Sequence, residues 1–160
     1  MSNITVIHEI EIAAPADVAW RVVADYARDV EWRAGVISME PTQAGLVHVG
    51  TITAEQMKVA GRTYRNDGEV FTVEPGSRFE WRTTSGAIAR GCREVVPVDR
   101  GRCRVHLELH VTPTGLNRLL APMLQRMLGR GLAGDLQRLC TVVEAEAAAP
   151  QPRSVPQLRP

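Results

Sequence analysis

Aromatic side chains are scarce in this chain, seven among 160 residues. Any internal space is therefore walled mainly by Val, Ile, Leu, Met and Ala. Cysteine is scarcer still, and Cys92, Cys103 and Cys140 have no spacing that suits a disulfide framework or a zinc site. They read as free thiols, which predicts a cytoplasmic, reducing setting. No run of about twenty apolar residues exists to cross a bilayer, so no integral membrane association is expected. The first residues lead straight into a strand pattern without the basic and apolar regions of a secretory signal. A charge of one sign is missing too: 19 basic residues stand against 18 acidic ones, for a net charge of +1. That balance argues against a dedicated nucleic-acid or anionic-membrane surface, either of which needs clustered cations. The length fits one domain with a substantial core.

What is present is a succession of period-two segments. Ile4 to Ile12 alternates apolar and polar positions, the rhythm of a half-buried strand, and Pro15 ends it. Two short helices follow, Ala16 to Tyr26 and Ala27 to Arg33. Strands are then predicted over 36–40, 47–59, 63–74, 77–84, 87–98 and 102–112, separated by turns such as Ala60-Gly61, Pro75-Gly76, Ser85-Gly86 and Arg100-Gly101. In the last of them Val105, Leu107, Leu109 and Val111 share one face, and His106, Glu108 and His110 share the other, read as the solvated one. A long C-terminal helix supplies the second layer. The predicted domain spans 1–146, and the proline-rich stretch 147–160 is expected to be a disordered tail.

The final helix carries Leu116, Leu119, Leu120, Met123, Leu124, Met127 and Leu128 at spacings of three and four. Leu132, Leu136, Leu139 and Val143 continue the pattern about a third of a turn away. The shift falls across Gly129, Gly131 and Gly134, glycines that cost about 1 kcal/mol each in a helix. A bend or local unwinding is expected there. Pro122 marks a kink or the first turn of the main helix.

Several motifs invite a chemical reading that their context opposes. Gly129-x-Gly131-x-x-Gly134 has the dinucleotide spacing, but it lies inside a helical pattern with no preceding strand, so no nucleotide cofactor is expected. His106 and His110 are four residues apart on a strand, about 13 Å, too far to share one ion. No metal or other cofactor is expected. His8 falls on the apolar parity of the first strand and reads as a core histidine. Met123 and Met127 form an adaptable stripe suited to a core or to a lipid pocket.

The text Ala14-Pro15-x4-Trp20-x4-Asp25-Tyr26-x5-Trp32-x3-Val36, with the later Val73-Glu74-Pro75-Gly76-Ser77-Arg78-Phe79-Glu80-Trp81, resembles the polyketide cyclase/dehydrase-like family. That family belongs to the START-like, helix-grip superfamily. Val30 stands where many members carry a proline. The resemblance implies an α+β helix-grip fold: a curved antiparallel sheet wrapped around a long C-terminal helix, with two short helices after the first strand. It also implies a deep cavity between sheet and helix.

By that resemblance the leading expectation is binding of a hydrophobic small molecule, a lipid, isoprenoid or polyketide. Trp32, Gln56, Trp81, Arg90, Met123 and Met127 are its candidate contacts. The alternative is a cyclase, aromatase or dehydratase acting on a poly-β-ketone-like substrate. Tyr64, Arg65, Asp67 and Arg90, with Glu55 and Gln56 nearby, would then be the candidate catalytic groups. A third reading is an interaction module, which would present a large exposed apolar patch. Oligomeric state is not legible in these residues.

Overall fold

The computed structural model describes residues 3–150. Its elements are β1 (Ile4–Ile12), α1 (Ala16–Val23), a 3-10 turn (Tyr26–Arg28), α2 (Asp29–Trp32), β2 (Val36–Pro41), β3 (Ile52–Val59), β4 (Arg62–Glu74), β5 (Arg78–Thr83), β6 (Ile88–Asp99), β7 (Arg102–Thr112), a second 3-10 turn (Gly115–Arg118) and α3 (Ala121–Ala148). The seven strands form one antiparallel sheet in the order β1-β7-β6-β5-β4-β3-β2. Consecutive strands from β2 to β7 pair in sequence order, and β1 closes onto β7. The sheet curls into a half-barrel around α3. This is the helix-grip architecture that the opening motif implies.

Period-two alternation does most of the placing. On β7, Val105 and Leu107 are buried, while His106 and Glu108 on the opposite face are half-buried. The concave face continues across the ladder through Arg93 opposite Leu107 and Gly91 opposite Leu109, with Trp81 opposite Gly91. The strand predicted from Val47 begins at Ile52. Residues before it form a loop instead, because the Val47 N–H donates to the Ala24 carbonyl (2.8 Å), its side chain is buried and Gly50 takes a positive φ of 91°.

The main core lies at one end of the half-barrel. There Ile12, Trp20, Val22, Val23, Phe79, Val95 and Val105 meet Leu136, Leu139 and Val143 of α3. Trp20 and Tyr26 each set an edge against the Phe79 ring, with centroids 6.1 and 5.7 Å apart. A smaller cluster at the other end joins Ile4 and Val6 to Ala121, with Leu124 and Leu128 packed on it.

The two clusters correct the expectation of unwinding at the glycines. The α-helix is uninterrupted from Ala121 to Ala148, with Pro122 in its first turn. Its apolar stripe shifts phase because the two halves meet different partners, β1 and β7 first and α1 with the main core afterwards. Gly129 lies over β1, where an added Cβ would meet only His8 Nε2 at 3.8 Å and Val6 Cγ1 at 3.9 Å. His8 is half-buried beneath the helix. The helix also extends two residues past the predicted domain end, and most of the remaining proline-rich stretch lies outside the described residues.

Candidate functional site

Between the two clusters, the concave face and α3 enclose a cavity of about 330 Å³. That lies at the lower end of the range for small-molecule sites, ~300–1,000 Å³. Its wall is mostly apolar: Met39 and Met57 from the β2–β3 edge, Trp81, Leu107 and Leu109 from the middle strands, and Met127, Leu128 and Leu132 from α3. Trp81 reaches inward because its cross-strand partner is Gly91. A Cβ at Gly91 would stand 2.8 Å from Trp81 Cζ2 and 2.2 Å from the Glu108 carbonyl.

One end of the cavity is charged, and its charges are paired. Arg93 makes a bidentate ion pair with Asp29, with Nη1–Oδ1 and Nη2–Oδ2 both 2.7 Å, and donates to the Val23 carbonyl at 3.1 Å. Its guanidinium stacks over Tyr26 (4.8 Å), Trp32 (5.1 Å) and Phe79 (5.5 Å). Arg33 Nη1 donates both to Asp29 Oδ2 (2.9 Å) and to Glu55 Oε1 (2.7 Å), and Asn66 Nδ2 donates to Glu55 Oε2 (3.3 Å). Two guanidiniums and two carboxylates thus neutralise one another while tying α2 to β3, β4 and β6.

Burial alone would pull both arginines toward deprotonation. Asp29 beside Arg93, and Glu55 with Asp29 beside Arg33, reverse that and hold both cationic. Burial, partly offset by Arg93, pushes the Tyr26 phenol well above its ordinary range. Tyr26 therefore stays a neutral hydroxyl at physiological pH. Among the described residues, Arg33 Nε and Nη2 have no protein partner, so a ligand oxygen has donors available there. Trp32 Nε1 is a buried donor without a partner among the described residues. Its ring is held by packing and by Arg93.

The end of α2 is latched to α3. Asp135 Oδ1 accepts from the Ala34 N–H (3.1 Å) and from Arg138 Nη2 (2.5 Å), and Arg138 Nε donates to the Trp32 carbonyl (3.0 Å). All four residues contribute to the cavity wall.

The sequence candidates divide by strand parity. Trp32, Trp81 and Met127 line the cavity, as does Glu55. Gln56 lies outside it, exposed on the opposite face of β3 from Thr53, Glu55 and Met57. Arg65 pairs with Gln56 and shares that outer face. Tyr64 has the inward parity but sits at the strand end, 44% exposed and clear of the cavity. Asp67 touches the wall, yet its carboxylate accepts from Ser85 Oγ (3.0 Å) and Arg65 Nε (3.4 Å). Arg90 faces outward opposite Arg82 and His110, three residues from the arginine that does enter, Arg93. Met123 is 57% exposed, one helical turn before Met127. Arg93, Arg33, Asp29 and Asn66 escaped the sequence reading. The signal for Arg93 was its inward parity between Gly91 and Val95.

On the convex face, His106 and His110 flank Glu108, and the ligand-type atoms of Cys92, His106 and Glu108 lie within 4.8 Å of one another. Both histidine rings lean toward the Glu108 carboxylate, and the neighbouring strand adds Cys92 to the group. Cys92 Sγ contacts Glu108 Oε2 at 3.8 Å, and His110 hydrogen-bonds the other oxygen. Arg78 and Arg90 line the same shallow depression of about 150 Å³, which opposes a cation there. Burial pushes the Cys92 thiol up to about 11, so it rests protonated.

A family model described as polyketide cyclase / dehydrase and lipid transport matches residues 3–144. No curated protein matches the sequence. Solved structures share the fold across nearly the whole chain. The Zhui aromatase/cyclase from Streptomyces sp. R1128 superposes with a TM-score of 0.79 at 18% identity, over 92% of this chain and 98% of its own. A protein from Thermus thermophilus gives 0.77 at 21% identity, over 90% and 99%. A START superfamily protein from Mycobacterium smegmatis gives 0.74 at 15% identity, over 89% and 99%. At these identities the likeness is one of fold. No helix among the described residues is long and apolar enough to cross a membrane.

Proposed function

The chain belongs to the polyketide cyclase/dehydrase and lipid transport family, and on that premise we propose that it binds a hydrophobic small molecule carrying an oxygen acceptor. The ligand class is a lipid, isoprenoid or polyketide-like compound. One observation carries this reading: the cavity is walled by Met, Leu and Trp and offers unpartnered Arg33 donors at its charged end. An apolar body would exclude water from the methionine and leucine wall, and a carbonyl or hydroxyl oxygen would orient on the guanidinium.

A second reading, cyclisation or dehydration of a poly-β-ketone-like substrate, draws support from the same corner. A cationic Arg33 and a neutral Tyr26 beside a carbonyl would stabilise developing enolate charge. The carboxylates in the wall speak against it as the main activity. Glu55, Asp67 and Asp135 are engaged by arginine, amide or hydroxyl donors, and the Glu108 carboxylate is held by His110 on the convex face, which leaves no free base in the wall.

Fluorescence titration with an apolar carbonyl-bearing probe separates the readings. Arg33→Met/Glu55→Gln, which removes the cation without leaving Glu55 charged and unpaired, should weaken probe binding about tenfold or more, the loss of a charge-assisted hydrogen bond, with circular dichroism checking that it folds. Equal affinity in both proteins would remove Arg33 from the site. Consumption of a poly-β-ketone analogue by the wild type would move the assignment to the enzyme.

A further inference from the structure

The longest stretch without a carboxylate in the second half of the chain runs from Leu109 to Gly134, and it contains Arg118, Arg126 and Arg130. All three are exposed, and none forms an ion pair among the described residues. The same stretch holds the densest group of exposed apolar side chains: Leu116 is 80% exposed, Leu119 81%, Leu120 45% and Met123 57%. The three leucines stand on a segment that is pinned at both ends, by buried Pro113 and by buried Ala121, and Met123 follows on the first turn of α3. The leucines therefore project from a fixed base. Overall charge balance hides this local segregation.

We propose that the 3-10 turn Gly115–Arg118 and the first turns of α3 dock on the anionic interface of a lipid bilayer, where the cavity exchanges its ligand. The ligand clause rests on the binding function proposed above. Three features select a bilayer as the occupant. The apolar tips protrude, which suits insertion at the boundary of headgroups and acyl chains and does not suit a rigid protein groove. The flanking arginines lack carboxylate partners and complement anionic headgroups, with stems long enough to reach back to them. The patch is also continuous with the cavity along one helix, since Met127, Leu128 and Leu132 follow Met123 and form part of the cavity wall.

The test is co-sedimentation of the full chain with phosphatidylcholine vesicles, with and without phosphatidylglycerol. The wild type should bind the anionic vesicles, bind neutral ones weakly, and detach as salt screens the arginines. Leu116→Ser/Leu119→Ser should lose about tenfold or more in partition. Arg118→Glu/Arg126→Glu should lose binding to the anionic vesicles selectively. Both variants alter exposed side chains, so unchanged circular dichroism and thermal midpoint confirm that they fold. Absence of wild-type binding overturns the proposal and leaves an acidic protein surface as the patch's occupant. Binding that survives in the leucine variant overturns it as well. Probe binding measured without vesicles reads the cavity separately: vesicle binding by a protein that takes no probe would uphold the docking surface and refute the ligand clause.

Discussion

Arg93 and Asp29 stand in the interior with their charges committed to each other and to Arg33. Removing one member leaves the other buried and unpaired, which costs about 3–5 kcal/mol. Asp29→Ala should therefore lower stability by that amount in urea unfolding. The double replacement Asp29→Leu/Arg93→Met should recover most of it, because the penalty belongs to the orphaned charge. If the single change is neutral, the pair is not the clamp described. Residue-scale legibility was uneven for a physical reason. Trp32 was readable from its place in the opening motif at the second short helix, and Trp81 from its place in a strand where it shares a face with Phe79. Arg93 was passed over for Arg90 because the small residues around Arg90 suggested space. Strand parity decides orientation, however, and counting back from inward Val95 selects Arg93 and Gly91.

The cysteines offer a second residue-scale test. Burial pushes Cys92 up to about 11, and burial with the neighbouring Glu144 does the same for Cys140. Burial also raises Cys103. Since the thiolate is the reactive form, alkylation at neutral pH should be slow at all three and should accelerate toward pH 11. Rapid stoichiometric labelling of Cys92 at pH 7 would contradict the packed convex face.

At the scale of elements, α3 shows how a sequence pattern can be read correctly and explained wrongly. The phase shift between Leu128 and Leu136 is real, yet it records two packing partners and not a broken helix. A helix pressed against β1 at one end and α1 at the other keeps its hydrogen-bond ladder despite three glycines. At Gly131 nothing lies within 4 Å of an added Cβ. Gly131→Ala should therefore stabilise the protein by about 0.5–1 kcal/mol, the helix-propensity gain alone. Destabilisation there would indicate backbone that alanine cannot adopt. The strands were the most legible elements, because alternation and Gly-bearing turns are local signals. The loop before β3 was not, because its hydrogen bond to Ala24 comes from a part of the chain more than twenty residues away.

For the whole molecule, the antiparallel meander and the long helix that covers it were readable from the order of elements, while the curl of the sheet and the cavity were implied by the family resemblance. The charged end of the cavity was not readable, because it assembles from α2, β3, β4 and β6, whose residues are remote in sequence. The balanced composition does not report local segregation: an even count of charges is compatible with a carboxylate-free stretch, 109–134, that carries exposed leucines.

The function proposed for this fold requires that the space between sheet and α3 hold a hydrophobic molecule. Native mass spectrometry of protein purified gently from its own host, followed by denaturing extraction, looks for that molecule itself. A discrete non-covalent adduct of a few hundred daltons is expected, apolar and carrying an oxygen acceptor, and it should be lost when Leu132→Trp fills the cavity. A bare mass for the wild type, or an adduct that persists when the cavity is filled, would refute the binding function.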